Sequence, residues 1–229
     1  MRINPDLSGN NVGCEKIMIP NRNGVLSRIA GIIMGHIAQI NAVYRGGPSL
    51  HFYHRIMGLR RQYPCVSSFL SCDTCVEILY ATLVSWDMNS RGAKMKDYAD
   101  FKSNLQGNSA AFQAVETASA AFAWTNRVDV IQSLSTLYDS LALMKTNGKL
   151  VSNSKCLHFV FPDLCPPMDR TNTLKKLYGN TGESKTRFLE VLDFSYDVIA
   201  GIQNPKQYLD TQWNTCATKL VDNAIIMLS

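Results

Sequence analysis

Apolar residues recur every three to four positions along most of this chain, and no stretch alternates convincingly at period two. That pattern restricts the backbone to helices, because such spacing gathers residues on one face of a helix and scatters them over both faces of a strand. Val25, Leu26, Ile29, Ile32, Ile33, Ile37, Ile40 and Val43 define an amphipathic helix from Gly24 to Tyr44, stopped by Gly46, Gly47 and Pro48. A second helix is expected from Ser49 to Gln62, and a third from Cys75 to about Met88, running into the turn signal Asn89-Ser90-Arg91-Gly92. From Tyr98 to Ala121 the composition suits one or two modest helices. Val130, Ile131, Leu134, Leu137, Leu141 and Met144 mark a helix from Arg127 to Lys145, with Asn147-Gly148 as its stop. Asp169 is placed to N-cap a helix from Arg170 to Tyr178, and Glu183 to Ile202 and Lys206 to Leu228 complete the pattern. The expected fold is all-α, a single helical domain of about nine to eleven helices over residues 1–229, or two helical lobes.

Composition narrows the function classes. Hydrophobic residues make up 46% of the chain and charged residues 18%, which suits a packed core and argues against disorder. Lys and Arg exceed Asp and Glu by 23 − 18 = 5, a mildly basic balance compatible with nucleic acid. Its local clusters, Arg60-Arg61, Arg91 with Lys94 and Lys96, and Lys175-Lys176, read first as solvated helix faces. Met1 to Pro20 lacks the apolar core of a secretory signal, and no apolar run is long enough to span a bilayer, so a cytoplasmic protein away from the membrane is expected. Seven scattered cysteines, an odd number, read as reduced core thiols. The chain has no Walker loop, no Gly-rich dinucleotide fingerprint, no Ser-His-Asp order and no metal-ligand set, which weakens nucleotide hydrolysis and redox catalysis.

The segment from about residue 127 to 179 carries the functional signal. After the Asn147-Gly148 stop, Leu150-Val151-Ser152-Asn153-Ser154-Lys155 puts a lysine at the end of a tight polar turn. An apolar run, Cys156 to Phe161, follows, and Pro162-Asp163-Leu164-Cys165-Pro166-Pro167-Met168 then delivers Asp169 to the start of a new helix, fourteen positions after the lysine. Over roughly 30 residues this layout resembles the core of the helix-hairpin-helix DNA glycosylases. In that superfamily a turn between two short helices grips a DNA phosphate, the next helix begins with a Lys in the lysine-bearing members, and a loop brings an essential Asp to the following helix.

The resemblance implies roles for named residues. Ser152, Asn153 and Ser154 stand where the family has a glycine-rich hairpin, and Asn tolerates the left-handed backbone of a tight turn. Asp169 would stabilise the oxocarbenium-like charge that builds on deoxyribose as the N-glycosidic bond breaks; its plain reading is an N-cap. Lys155 would attack the sugar carbon to form a Schiff base, hold a phosphate, or simply cover a helix surface. His158 and Arg170 are candidates for contacts to the DNA backbone, with core packing and pairing to Asp169 as their alternatives. Trp86 and Tyr80 could wall a pocket for a flipped base, or pack in the core. Cys65, Cys72 and Cys75 match the first three ligands of the iron-sulfur loop in some of these glycosylases, but Ala81 stands where the fourth is expected and the trio precedes the hairpin. With Thr74 and Glu77 forming a capping box, an ordinary helix start is expected there and no metal.

The expected function is therefore that of a DNA glycosylase, with or without lyase activity, that excises a modified or damaged base, in DNA repair or against modified foreign DNA. It would act as a monomer on DNA without a cofactor. The chief rival is a non-catalytic helical nucleic-acid-binding module, and the third reading is a helical interaction protein in which Asp169 caps and Lys155 is solvent-exposed.

Overall fold

Caps, prolines and side-chain hydrogen bonds set the helix boundaries in the computed structural model, which describes residues 18–44, 46–88 and 94–228. About 70% of it is helical, and no strand occurs among the described residues; Met95 and Met144 form one isolated β-bridge and Ala123 and Asn126 another. The α-helices are α1 (Arg22–His36), α2 (Ile40–Val43), α3 (Pro48–Gln62), α4 (Val66–Ser71), α5 (Asp73–Leu83), α6 (Tyr98–Gly107), α7 (Ser109–Ser119), α8 (Val128–Ser140), α9 (Leu150–Val160), α10 (Lys175–Tyr178), α11 (Lys185–Ala200) and α12 (Ala217–Ile226). The all-α expectation holds. No helix among the described residues is long and apolar enough to cross a membrane. The expected turn at Asn89 to Gly92 lies outside the described residues, as does most of the Met1 to Pro20 segment.

One continuous apolar cluster draws on helices from α1 to α12. Helix α9 runs through its centre, packed on α3, α5 and α11, with all but two of its eleven residues buried. α1, α11 and α12 pack on one another, and α3 packs on α5. Burying a helix nearly all round leaves its polar side chains no water, so each must find a partner inside the protein.

Those partners overturn the expected hairpin. Leu150 to Ser154 is the first turn and a half of α9 rather than a surface turn. The connection between α8 and α9 lies earlier, at residues 141–149, because the apolar periodicity of Leu141 and Met144 continues into an extended segment that pairs Lys145 with Lys94 and Lys96 with Leu143. Ser152, Asn153 and Ser154 are buried, and none is positioned to meet a DNA phosphate. The Asn153 amide donates to the carbonyl oxygens of Tyr138 and Leu141 at 3.0 and 3.2 Å, closing the C-terminus of α8. The Ser152 hydroxyl donates to Lys149 O. The amide of Leu150, an otherwise orphan donor at the start of α9, donates to Glu183 Oε2 at 3.0 Å. Asn153→Ala should cost about 1–3 kcal/mol in urea unfolding, since two buried carbonyls lose their donor.

Other departures have local causes. Lys206 to Leu228 is not one helix: Asp210 accepts from the amides of Gln212 and Asn214 and from the side chains of Asn41 and Asn214, which fixes an Asx-type loop before α12. Cys72 rather than Thr74 caps α5, its Sγ accepting from Cys75 N at 3.3 Å. Cys65 is exposed and Cys75 buried, and no group of His, Cys, Asp and Glu among the described residues could hold a metal ion.

Candidate active site

Most of the loop that leads from α9 to Asp169 is buried, Leu164 to Met168 above all, and a buried loop is stable only if its backbone groups are satisfied. Four side chains do this work from three helices. His158 of α9 donates from Nδ1 to Cys165 O at 2.9 Å, and the Ser154 hydroxyl accepts from Met168 N at 3.1 Å. Tyr196 of α11 donates to Leu164 O at 2.7 Å, and Thr218 of α12 donates to Pro162 O. Asp169 therefore leaves a fixed loop, and it N-caps the π-helical turn Arg170–Leu174 that leads into α10 and ends at Gly179, whose φ of 71° suits a residue without a Cβ. Its Oδ1 accepts from Asn172 N at 2.5 Å and its Oδ2 from Asn172 Nδ2 at 3.0 Å.

Asp169 and Lys155 line the same cleft, of about 470 Å³. The Lys155 amine is nearly surrounded by protein and donates to the carbonyl oxygen of Trp86 at 3.0 Å. Burial pushes its pKa down; the carboxylates of Asp169 and Asp222 oppose that shift and the Lys219 ammonium reinforces it. Trp86 forms one wall. Helical geometry fails at this residue (φ −96°, ψ 31°) and at Asp87, which takes a left-handed φ of 63°, a conformation uncommon for a residue with a side chain and often found at functional sites.

Further lining comes from α12 and the loop before it, where Trp213 lies against Trp86 with ring centroids 6.4 Å apart. Trp213 packs parallel to Tyr53 with ring centroids 5.9 Å apart, and Tyr53 in turn stacks on His158 at 6.0 Å. Phe159 meets Trp86 edge-on at 4.9 Å. The two indoles are thus backed by a rigid aromatic layer. Lys219 and Asp222, one helical turn apart and both nearly inaccessible, form an ion pair, and Lys219 also donates to Asn223 Oδ1 at 2.8 Å. Burial raises the Asp222 carboxyl pKa and Lys219 opposes the rise.

The arrangement sorts the expected site residues. Lys155, Asp169, Arg170 and Trp86 come together at the cleft. Arg170 pairs with Glu183 rather than with Asp169, which leaves the Asp169 carboxylate to Asn172. Tyr80 is no part of the cleft: its hydroxyl donates to Lys96 O at 3.0 Å and its ring packs on Tyr98 and Phe101. His158 is fully buried in the core and is not on the surface; Ser154 acts on the Asp169 loop, and Ser152 and Asn153 on the α8–α9 junction. Trp213, Lys219, Asp222 and Asn223 escaped the sequence reading. Their signal was present as polar residues at 219, 222 and 223, the helical i, i+3, i+4 spacing, set within an otherwise apolar run.

Burial holds the His158 pKa down at about 3, with Lys219 acting in the same direction. An unfolded chain protonates this ring near pH 6.5 and the folded one does not, so the unfolded state binds more protons between those values. The stability is fully present above pH 6.5 and is lost as pH falls toward 3. We expect about 2–3 kcal/mol to disappear between pH 6.5 and 4.5, and His158→Gln to remove most of that slope in urea titrations.

Compared with models of protein families, with curated proteins and with solved structures, the chain gives no match.

Proposed function

We propose that the protein is a DNA N-glycosylase that takes a modified or damaged base into the cleft and cuts its bond to deoxyribose. The observation that supports this reading most is the convergence of Lys155 and Asp169 on one cleft walled by Trp86 and Trp213. A flipped base needs an apolar aromatic surface, a leaving base needs negative charge near the sugar, and a nucleophilic amine needs removal from water; in this reading the adjoining Trp86 and Trp213 rings, Asp169 and the interior Lys155 amine take these roles.

In this reading the unprotonated Lys155 amine attacks C1′ as the C1′–base bond breaks. The base departs with the bonding electron pair, and the proton released from the amine balances its charge. The Asp169 carboxylate faces the positive charge that spreads over C1′ and the ring oxygen in the transition state. Opening of the sugar ring then yields a Schiff base. The interior position of Lys155 favours the amine as nucleophile over a phosphate clamp, since a phosphate contact calls for an amine on the outer surface. Arg170, whose side chain is 62% exposed at the rim, is the better candidate for the DNA backbone.

The test is incubation with duplex DNAs carrying a panel of modified bases, including heavily modified cytosines, followed by alkali to cut at abasic sites. Base release supports the enzyme. Salt-sensitive binding without release of any base would instead support a nucleic-acid-binding module.

A further inference from the structure

The cleft contains two lysines, and they are held in different ways. Lys219 is locked: its amine is ion-paired to Asp222 and donates to Asn223 Oδ1 at 2.8 Å, and all three residues sit on consecutive turns of α12. Lys155 approaches from α9 and donates to a backbone carbonyl rather than to a carboxylate. Both amines face the Trp86 ring, at 5.8 Å for Lys155 and 5.4 Å for Lys219. The charged groups acting on Lys155 are Asp169 at the α10 entrance, Asp222 and Lys219 on α12, and Asp87 after Trp86. Arg170 lines the same cleft and is paired with Glu183.

An uncompensated Asp222 would act on Lys155 in full beside Asp169 and Asp87, and carboxylates gathered in this way favour the protonated, unreactive amine. Lys219 opposes that effect without itself becoming available, because its ion pair with Asp222 and its hydrogen bond to Asn223 hold its amine in place. We propose that Lys219 is a positioning residue that screens Asp222 from Lys155 and so leaves Lys155 as the reactive amine of the cleft. The use of that amine rests on the glycosylase reading, whereas the electrostatic relation between the lysines does not.

The free protein provides the test. Reductive methylation with ¹³C-formaldehyde labels the lysines, and the Lys155 signal is identified by its absence from Lys155→Arg; its titration is followed by NMR. Lys219→Met should raise the Lys155 midpoint by about one pH unit, and Lys219→Met with Asp222→Asn should bring it back near the wild-type value. If Lys219→Met does not fold, Lys219→Gln, which can keep a hydrogen bond to Asn223, makes the same comparison. A midpoint that stays put or falls on loss of Lys219, or one that the second substitution does not restore, overturns the inference. The expected titrations in a protein that releases no base would leave this inference standing and remove the glycosylase reading.

Discussion

Asp169→Asn is expected to lower single-turnover base release by at least about a hundredfold while leaving the fold and DNA binding in place. The substitution separates two jobs of one side chain. An Asn oxygen can still accept the Asn172 backbone amide, so the cap on the Arg170–Leu174 turn survives. What disappears is the negative charge, together with acceptance from the Asn172 side chain. Stability should change by at most about 1 kcal/mol, the usual range for a perturbed cap. A folded variant with wild-type excision would show that Asp169 is a cap only.

Lys155→Met has the second large effect, and its two readouts move in opposite directions. Met keeps the length and apolar stem of Lys but has no amine to attack C1′, so base release should fall on the order of a thousandfold or more and borohydride should no longer trap a covalent adduct with abasic DNA. Stability should hold or rise, because burial disfavours the charged amine and Met carries no charge to bury. If Lys155 served only to tie α9 to the Trp86 carbonyl, the melting temperature would drop and excision would persist.

The helical architecture was legible because burial writes a period into the sequence. Pro48 opens α3, Asp169 caps the turn before α10 and Gly179 closes it, each by a local rule that needs no tertiary information. The failures occurred where local rules meet a buried environment. Ser152-Asn153-Ser154 has the composition of a turn, yet it lies in a helix because Asn153 closes α8 and Ser154 holds the Asp169 loop, contacts that exist only once α8, α9 and that loop are packed. The apparent helix from Lys206 to Leu228 is interrupted because Asp210 finds Asn41, a partner 169 positions away.

Half of the candidate site was likewise local. Lys155 and Asp169 belong to one segment, so their convergence could be expected from spacing and from the proline-stiffened loop between them. Trp213 and the Lys219–Asp222 pair come from the far end of the chain, and only the packing of α12 against α1, α11 and the Arg170–Leu174 turn brings them to the cleft.

The most direct measurement of the central claim is the structure of the protein bound to duplex DNA carrying a stable abasic-site mimic. The account predicts the mimic's sugar in the cleft, with its C1′ position about 3–4 Å from Lys155 Nζ, the Asp169 carboxylate beside the ring, and the space for the base against the adjoining Trp86 and Trp213 rings. A sugar bound away from Lys155 and Asp169, or DNA bound on a face that leaves the cleft empty, would contradict it.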